Sequence, residues 1–176
     1  MSEEQKGDAA AGQGQAQGQQ QAAAPVFRLQ KMYLKDLSFE SPTAPGIFTE
    51  QGVDPKADVQ LKLENRKLES ADQYEVTIKI TATVTNNKTG KTMFIVEVEH
   101  GAVFLLQNIP AEHMPAVLAV ECPATLFPFT RQIISQTTAD GGFMPFLMDP
   151  VNFLALYENS RRQQQQQQEG VAPQQQ

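Results

Sequence analysis

The chain has 176 residues and a formal net charge of −6, with a pI of about 4.9. Acidic proteins repel nucleic acid and favour basic partners, and no apolar run reaches the roughly 20 residues that span a bilayer, so the sequence argues against nucleic-acid binding and direct membrane insertion. A single cysteine excludes an intrachain disulfide, and the absence of a positive N-terminal region followed by an apolar run predicts a cytoplasmic protein.

Composition divides the chain into three parts. Residues 2–24 contain no Val, Ile, Leu or aromatic side chain, and residues 163–176 are mostly Gln. Neither end can bury enough apolar surface to offset the entropy of ordering its backbone. The sequence therefore predicts one domain at 25–162, with disordered tails at 1–24 and 163–176. The Gln run within the second tail also fits the extension of a preceding helix.

The domain begins with a predicted strand and a proline-rich loop. Residues 26–35 are rich in β-forming side chains and predict the strand. Residues 38–48 contain Pro42 and Pro45, which lack amide hydrogens, so this stretch is interpreted as an extended crossing loop.

Three further strands are predicted at 57–66, 73–85 and 92–106, because apolar and polar side chains alternate along them. Over 73–85 the alternation assigns one face to the core and places Glu75 and Thr77 on a wet face. The turn NNKTG at 86–90 and the short connections favour an antiparallel sheet.

Helices are predicted after the strands. A short helix at 111–121 is interrupted by Pro115, and a longer one follows, with Pro128 near its first turn and Gly141–Gly142 as its stop. Apolar side chains in the longer helix recur at i, i+3, i+7 and i+8: Leu126, Phe129, Ile133, Ile134.

After an apolar linker, Asp149 is predicted to cap a last helix and Pro150 to open it. The order of elements predicts an α+β fold, in which a four-stranded antiparallel sheet has its helices packed on one face.

No set of residues for catalysis is evident. His100 and His113 each lack a second His or Cys at metal-ligand spacing, and Cys122 is expected to be a small buried hydrophobe. The segment TGKT at 89–92 lacks the glycine that a phosphate-binding loop needs, and a strand follows it. The chain is therefore expected to be no enzyme and to use no cofactor or metal; a small hydrolase or isomerase is the alternative of another class.

Two surface features remain. Glu97 and Glu99 share a strand face with Ile95, which fits either a solvated face or a docking patch for a basic partner. Large apolar side chains are also concentrated on loops and helices: Phe39, Ile47, Phe48, Phe127, Phe129, Phe143, Met144, Phe146, Leu147, Met148. Sister chains or an apolar ligand of varied chemistry would cover them, and a tighter monomer core is the third alternative.

Four stretches carry a family resemblance: KDLSFESPTAP at 35–45, FIVEVEHGAVF at 94–104, CPATLFPFTRQII at 122–134 and PVNFLALY at 150–157. The chain resembles the SecB family of bacterial export chaperones. This resemblance implies an ATP-independent chaperone that binds unfolded preproteins and delivers them to the motor ATPase SecA. It also implies a homotetramer built as a dimer of dimers. A general holdase that is not tied to export is the alternative within the family, and a purely structural oligomer is another.

The resemblance also assigns sites. A client-binding groove would include Pro42, Pro45, Ile47, Phe48, Phe143, Met144, Phe146 and Leu147. SecA would dock on Asp36, Glu40, Ile95 and Glu97, to which the position of Glu99 adds a fifth residue. The helix with Leu126, Phe129, Ile133 and Ile134 would join the two dimers. The family's C-terminal tail also contacts SecA, and in this chain that tail is a Gln tract.

Overall fold

The computed structural model describes residues 23–70 and 72–169. The predicted disordered tail at 1–24 therefore lies almost entirely outside the described residues, as does the end of the second predicted tail at 170–176. Within the described part, no helix combines the length and apolar character that crossing a bilayer requires.

The strands form one four-stranded antiparallel sheet in the order β1-β4-β3-β2, so β1 and β2 are its edges. Their bounds are β1 Val26–Glu40, β2 Pro55–Lys67, β3 Gln73–Asn86 and β4 Thr92–Gln107. The helices pack on one face of this sheet, which confirms the predicted α+β class.

The first strand is longer than predicted. Pairing with β4 continues to Glu40, which lies opposite Ile95, because the prolines begin only after this residue. The crossing loop therefore starts at Ser41, whose hydroxyl donates to the carbonyl of Met93 at 2.9 Å. A short 3₁₀ turn, Gly46–Phe48, ends the loop's proline-rich part.

The two helices predicted between 111 and 140 form one continuous rod. It consists of α1 Met114–Ala116, a wide π-helical turn Val117–Glu121, and α2 Cys122–Asp140. The prediction that Pro128 lies near a first turn is wrong, because it lies inside α2. Pro128 and Ala124 are both exposed, so the carbonyl of Ala124 that the proline leaves unpaired can bond to water.

The last helix, α3, spans Phe153–Glu169. The prediction that Asp149 caps it is wrong: the side-chain oxygen of Asn152 accepts a hydrogen bond from the amide of Ala155 at 3.0 Å. The Gln run continues this helix, so the second predicted tail is helical as far as Glu169.

The core lies between α2 and the inner faces of β3 and β4. The alternation predicted for 73–85 holds on this face, where Val76, Ile78 and Ile80 are at most 1% exposed. The wet-face assignment of Glu75 and Thr77 is wrong, since each is 4% exposed. Neighbouring side chains on the outer face cover them, which period-two alternation cannot reveal.

Two groups singled out in the sequence belong to the core. Cys122 is fully buried, as expected, and burial raises the pKa of its thiol to about 12. His100 is buried on β4, with its Nδ1 3.0 Å from the hydroxyl oxygen of Thr130 on α2. Burial lowers the pKa of His100 below its ordinary value.

Candidate functional site

An apolar groove of about 570 Å³ lies between one end of the sheet and the linker that joins α2 to α3. The linker supplies one wall, and the ends of β2, β3 and β4 supply the other. The lining residues are Val53, Pro55, Ala57, Val84, Met93, Phe94, Gly142, Phe143, Met144, Pro145, Phe146 and Leu147.

Aromatic contacts hold the linker over the end of the sheet. The ring of Phe143 lies at the centre, 4.8 Å from Phe94 and 5.0 Å from Phe48 between ring centroids. Phe39 lies 6.2 Å from the same ring, and Phe146 lies 6.3 Å from Phe94. Tilted rings at these separations attract each other beyond the area that they bury, so the cluster fixes one wall of the groove.

Two glycines let the linker turn sharply toward this cluster. A Cβ atom on Gly141 would lie 2.2 Å from the ring of Phe39, so only glycine fits the close approach. Gly142 has a φ of +86°, a conformation that residues with a side chain rarely adopt. The predicted stop of the long helix at this pair is confirmed.

A buried threonine fastens the linker to α2. The hydroxyl oxygen of Thr138 accepts a hydrogen bond from the amide of Phe146 at 2.9 Å. The same hydroxyl donates to the carbonyl of Ser135 at 3.0 Å, and Thr138 is fully buried. The groove wall is therefore anchored by a satisfied polar contact as well as by aromatic packing.

The structure brings four of the eight predicted groove residues into the groove lining: Phe143, Met144, Phe146, Leu147. Met144 and Leu147 are 88% and 76% exposed, which is unusual for large apolar side chains.

The four residues from the crossing loop do not line the groove. Phe48 is exposed and touches Phe143, whereas Pro42 and Pro45 are exposed on the loop itself. Ile47 is 4% exposed and belongs to the core, so its assignment to the groove is wrong in this conformation.

Part of the apolar surplus expected from the sequence is hidden within the chain. Ile47, Phe127 and Met148 are each buried. A tighter core than expected therefore accounts for these three, while Phe129, Met144 and Leu147 stay exposed. The alternation of β2 could have indicated Ala57 as a groove residue, but no local pattern marks Val53, Val84 or Met93 as its neighbours.

The acidic residues lie on the outer face of the sheet, opposite the helices. In the register of β1 and β4, Asp36 pairs with Glu99 and Glu40 pairs with Ile95. Glu97 lies between them, opposite Ser38. The five predicted docking residues therefore form one patch, which we call the acidic face: Asp36, Glu40, Ile95, Glu97, Glu99.

Lysines from the same chain partly neutralise the acidic face. The ammonium nitrogen of Lys35 lies 2.9 Å from Glu99, and that of Lys79 lies 3.9 Å from Glu97. Asp36 and Glu40 are exposed and have no ion-pair partner among the described residues. The free negative charge is therefore greatest toward β1, the strand at the edge.

A buried carboxylate borders the acidic face. Glu75 accepts a hydrogen bond from the hydroxyl of Tyr33, forms an ion pair with Arg66, and lies 3.5 Å from the ammonium of Lys35. The hydrogen bond from Tyr33 is the main cause that lowers the pKa of Glu75, and the charges of Arg66 and Lys35 lower it further, although burial opposes this shift. Sequence reasoning missed this cluster because its members come from three different strands.

The predicted helix interface divides into two pairs. Leu126 and Ile134 are fully buried against the sheet, so their assignment to an interface is wrong for this conformation. Phe129 is 44% exposed and Ile133 is half-buried. These two line a shallow depression of about 510 Å³, together with Met32 and Leu37 of β1.

Comparison with known proteins identifies the class. The family model described as "Preprotein translocase subunit SecB" matches residues 20–167. A protein-export protein SecB of Desulfotalea psychrophila is 55% identical over 144 residues, which cover 82% of this chain and 92% of the relative. The one of Magnetococcus marinus is 42% identical and covers 80% of this chain and 88% of the relative.

Among solved structures, a Mycobacterium tuberculosis SecB-like chaperone in complex with an antitoxin peptide has a TM-score of 0.60 at 14% identity. The match covers 71% of this chain and 90% of that one, and at this identity it shows the fold. The fold and the relatives define a chaperone for preprotein export. The chain belongs to the SecB family, as its motifs indicated.

Proposed function

We propose that this chain is a cytoplasmic, ATP-independent holdase that binds unfolded preproteins in the apolar groove and passes them to SecA at the acidic face. The main support for the client site is the exposure of Met144 and Leu147 beside the aromatic cluster. Flexible Met and Phe side chains can adapt to clients of varied sequence. A folded protein hides its apolar segments, so the groove selects non-native chains.

The energetics require many contacts. Burying about 1,000 Å² of apolar surface contributes up to roughly 25 kcal/mol. Fixing each bound residue of the client costs about 1–2 kcal/mol, so a long, fully ordered client gains little. High affinity therefore depends on several grooves holding short segments of a client that remains mobile between them.

A homotetramer, built as a dimer of dimers, would supply those grooves. Phe129 and Ile133 remain available on the rod for a contact between dimers, and an exposed aromatic side chain beside an apolar depression suits such a role. Linked grooves bind one client at high effective concentration, which raises affinity without new kinds of contact. Native mass spectrometry with and without an unfolded precursor measures subunit number and client stoichiometry together.

We assign no chemistry to the chain, so release of the client must be driven by a partner. The acidic face suits SecA, because the SecA partner of SecB proteins has a basic C-terminal segment. Complementary charge steers the encounter of two proteins and fixes how they align. Ile95 provides an apolar contact among the carboxylates. The Gln tract of α3 replaces the family's usual tail, and we assign it no contact.

Reversing one charge on the acidic face tests the separation of the two sites. Glu97→Lys places a cation beside Lys79 and should abolish SecA binding, while affinity for an unfolded client stays unchanged. Glu64→Lys is the matched control, because Glu64 is exposed on the same sheet face but at the far edge. Calorimetry measures SecA binding and fluorescence anisotropy measures the client. Equal loss of both activities in Glu97→Lys would contradict this assignment.

A general holdase is the second candidate, because the solved chaperone of similar fold is bound to an antitoxin peptide. The acidic face favours export. Calorimetry of the unmodified chain with SecA decides between them, since a general holdase should show no binding.

A further inference from the structure

A β-bulge places a cation and a carboxylate side by side on the acidic face. The register of β1 against β4 shifts between Leu34 and Asp36, so Lys35 and Asp36 together oppose Glu99. An extra residue in one strand redirects its side chain, and here both side chains reach the outer face. Counted from Tyr33, alternation already brings Lys35 to the outer face, and the bulge keeps Asp36 beside it where alternation would have turned Asp36 to the inner face.

The side chain of Lys35 crosses β4 through a gap left by a glycine. A Cβ atom on Gly101 would lie 3.2 Å from Cδ of Lys35 and 3.0 Å from the ring of Tyr33. Glycine at this position lets both side chains reach Glu75 on β3. The gap and the bulge together give Lys35 a defined path across the sheet.

Two carboxylates hold the ammonium group at the end of this path. Glu99 lies 2.9 Å away and Glu75 lies 3.5 Å away. Glu75 is itself held by Tyr33 and Arg66, so it is a fixed anchor. The hydrogen bond to Glu99 is the main cause that raises the pKa of Lys35, which therefore stays charged at neutral pH. Its side chain is 32% exposed, so a bound partner would meet its charge.

We propose that Lys35 sets the affinity of the acidic face for a basic partner, and that it lowers this affinity by acting as the built-in counter-ion of Glu99. A partner's cation must either displace Lys35 from Glu99 or bind beside its positive charge, and both are unfavourable. Moderate affinity suits a site that must also release its partner. This inference deepens the proposed function and rests on docking of SecA at the acidic face.

Removing the charge at this position tests the proposal. Lys35→Gln keeps a polar side chain of similar reach and should tighten SecA binding by about two- to fivefold at low ionic strength, the range of an exposed ion pair. The gain should shrink as salt is added. Lys35→Arg keeps the charge and should bind as the unmodified chain does. Lys67→Gln removes the same charge from β2, where Lys67 lies near the ring of Tyr74, and should leave affinity unchanged.

Titration calorimetry of the full-length chain with purified SecA, at two salt concentrations, measures all four proteins. Circular dichroism checks that each variant is folded. If Lys35→Gln does not fold, Lys35→Met serves as the neutral variant instead. Unchanged or weaker binding of the neutral variant, or an equal gain in Lys35→Arg, overturns the role of Lys35. If the role of Lys35 is overturned, Glu97→Lys shows how much of the proposal is lost. Intact SecA binding in Glu97→Lys would also refute docking at the acidic face, whereas loss of binding would refute only the inference about Lys35.

Discussion

Replacing Thr138 with valine should loosen the groove wall without changing any side chain that lines the groove. Valine has nearly the shape of threonine but lacks the hydroxyl that accepts from the amide of Phe146 at 2.9 Å. Thr138 is fully buried, so no water can take the place of that oxygen. The substitution therefore removes the one hydrogen bond from this hydroxyl to the linker, together with its bond to the carbonyl of Ser135 within α2.

The loss of stability in Thr138→Val follows from the Phe146 amide, which is left without its acceptor. An unsatisfied buried polar group costs about 1–3 kcal/mol, and the half-buried position of Phe146 suggests the lower part of that range. We expect the free energy of unfolding to fall by about 1–2 kcal/mol. For a chain of this size that corresponds to a decrease of about 2–8 °C in Tm at fixed protein concentration. Hydrogen exchange of the Phe146 amide should accelerate about 5- to 30-fold, and client affinity should fall.

The neighbouring threonine supplies the control. The hydroxyl of Thr137 donates to the carbonyl of Ile133 at 2.8 Å, within the same helix, and makes no hydrogen bond to the linker. Thr137→Val should therefore leave the exchange of Phe146 and the client affinity unchanged. If Thr138→Val exchanges its Phe146 amide at the original rate, the hydrogen bond does not hold the linker and the explanation of the groove wall is refuted.

Two further outcomes follow from the core. Gly141→Ala should destabilise the chain and weaken client binding, because the new methyl group would overlap the ring of Phe39. Gly46→Ala tests the cost of a glycine replacement alone, since a Cβ there meets no atom within 4 Å and its φ is not positive. Unimpaired client binding in Gly141→Ala would contradict the steric argument. Because burial lowers the pKa of His100, the unfolded chain takes up a proton before the folded chain does, so the free energy of unfolding should decrease as pH falls below about 6.5. His100→Gln should flatten this dependence between pH 7 and 5 in urea unfolding and the exposed control His113→Gln should not; an equally steep curve in His100→Gln would exclude His100 as its source.

The sheet could be predicted from the sequence because its signal is local. Alternation over 73–85 identifies a buried face wherever one side of a strand meets the core, and the structure agrees on that face from Val76 to Val84. The order of strands before helices was enough to give the α+β class. The glycine pair at 141–142 also predicted its helix end correctly, since steric demand at one residue decides it.

The errors arise where distant residues decide the outcome. Pro128 was expected near the first turn of a helix, yet it lies inside α2 on an exposed side, where the packing of the rod outweighs one lost hydrogen bond. Glu75 looked solvent-exposed because its partners lie on other strands, 42 residues away for Tyr33. Likewise, a helical stripe at 126–134 cannot tell which apolar residues face the sheet and which remain on the surface.

The proposed sites lie on opposite sides of a single layer of strands, and this geometry limits how cargo can be handed over. Under these proposals, a preprotein beside Phe143 and a motor on Glu97 would bind on opposite faces of the sheet, so they would not compete for the same residues. The direct covalent route between the two sides is the segment 41–47, which begins after Glu40 on the motor side and ends before Phe48 beside Phe143. Because Phe48 touches the groove wall but does not line the groove, this segment connects the acidic face to the wall and not directly to the cargo.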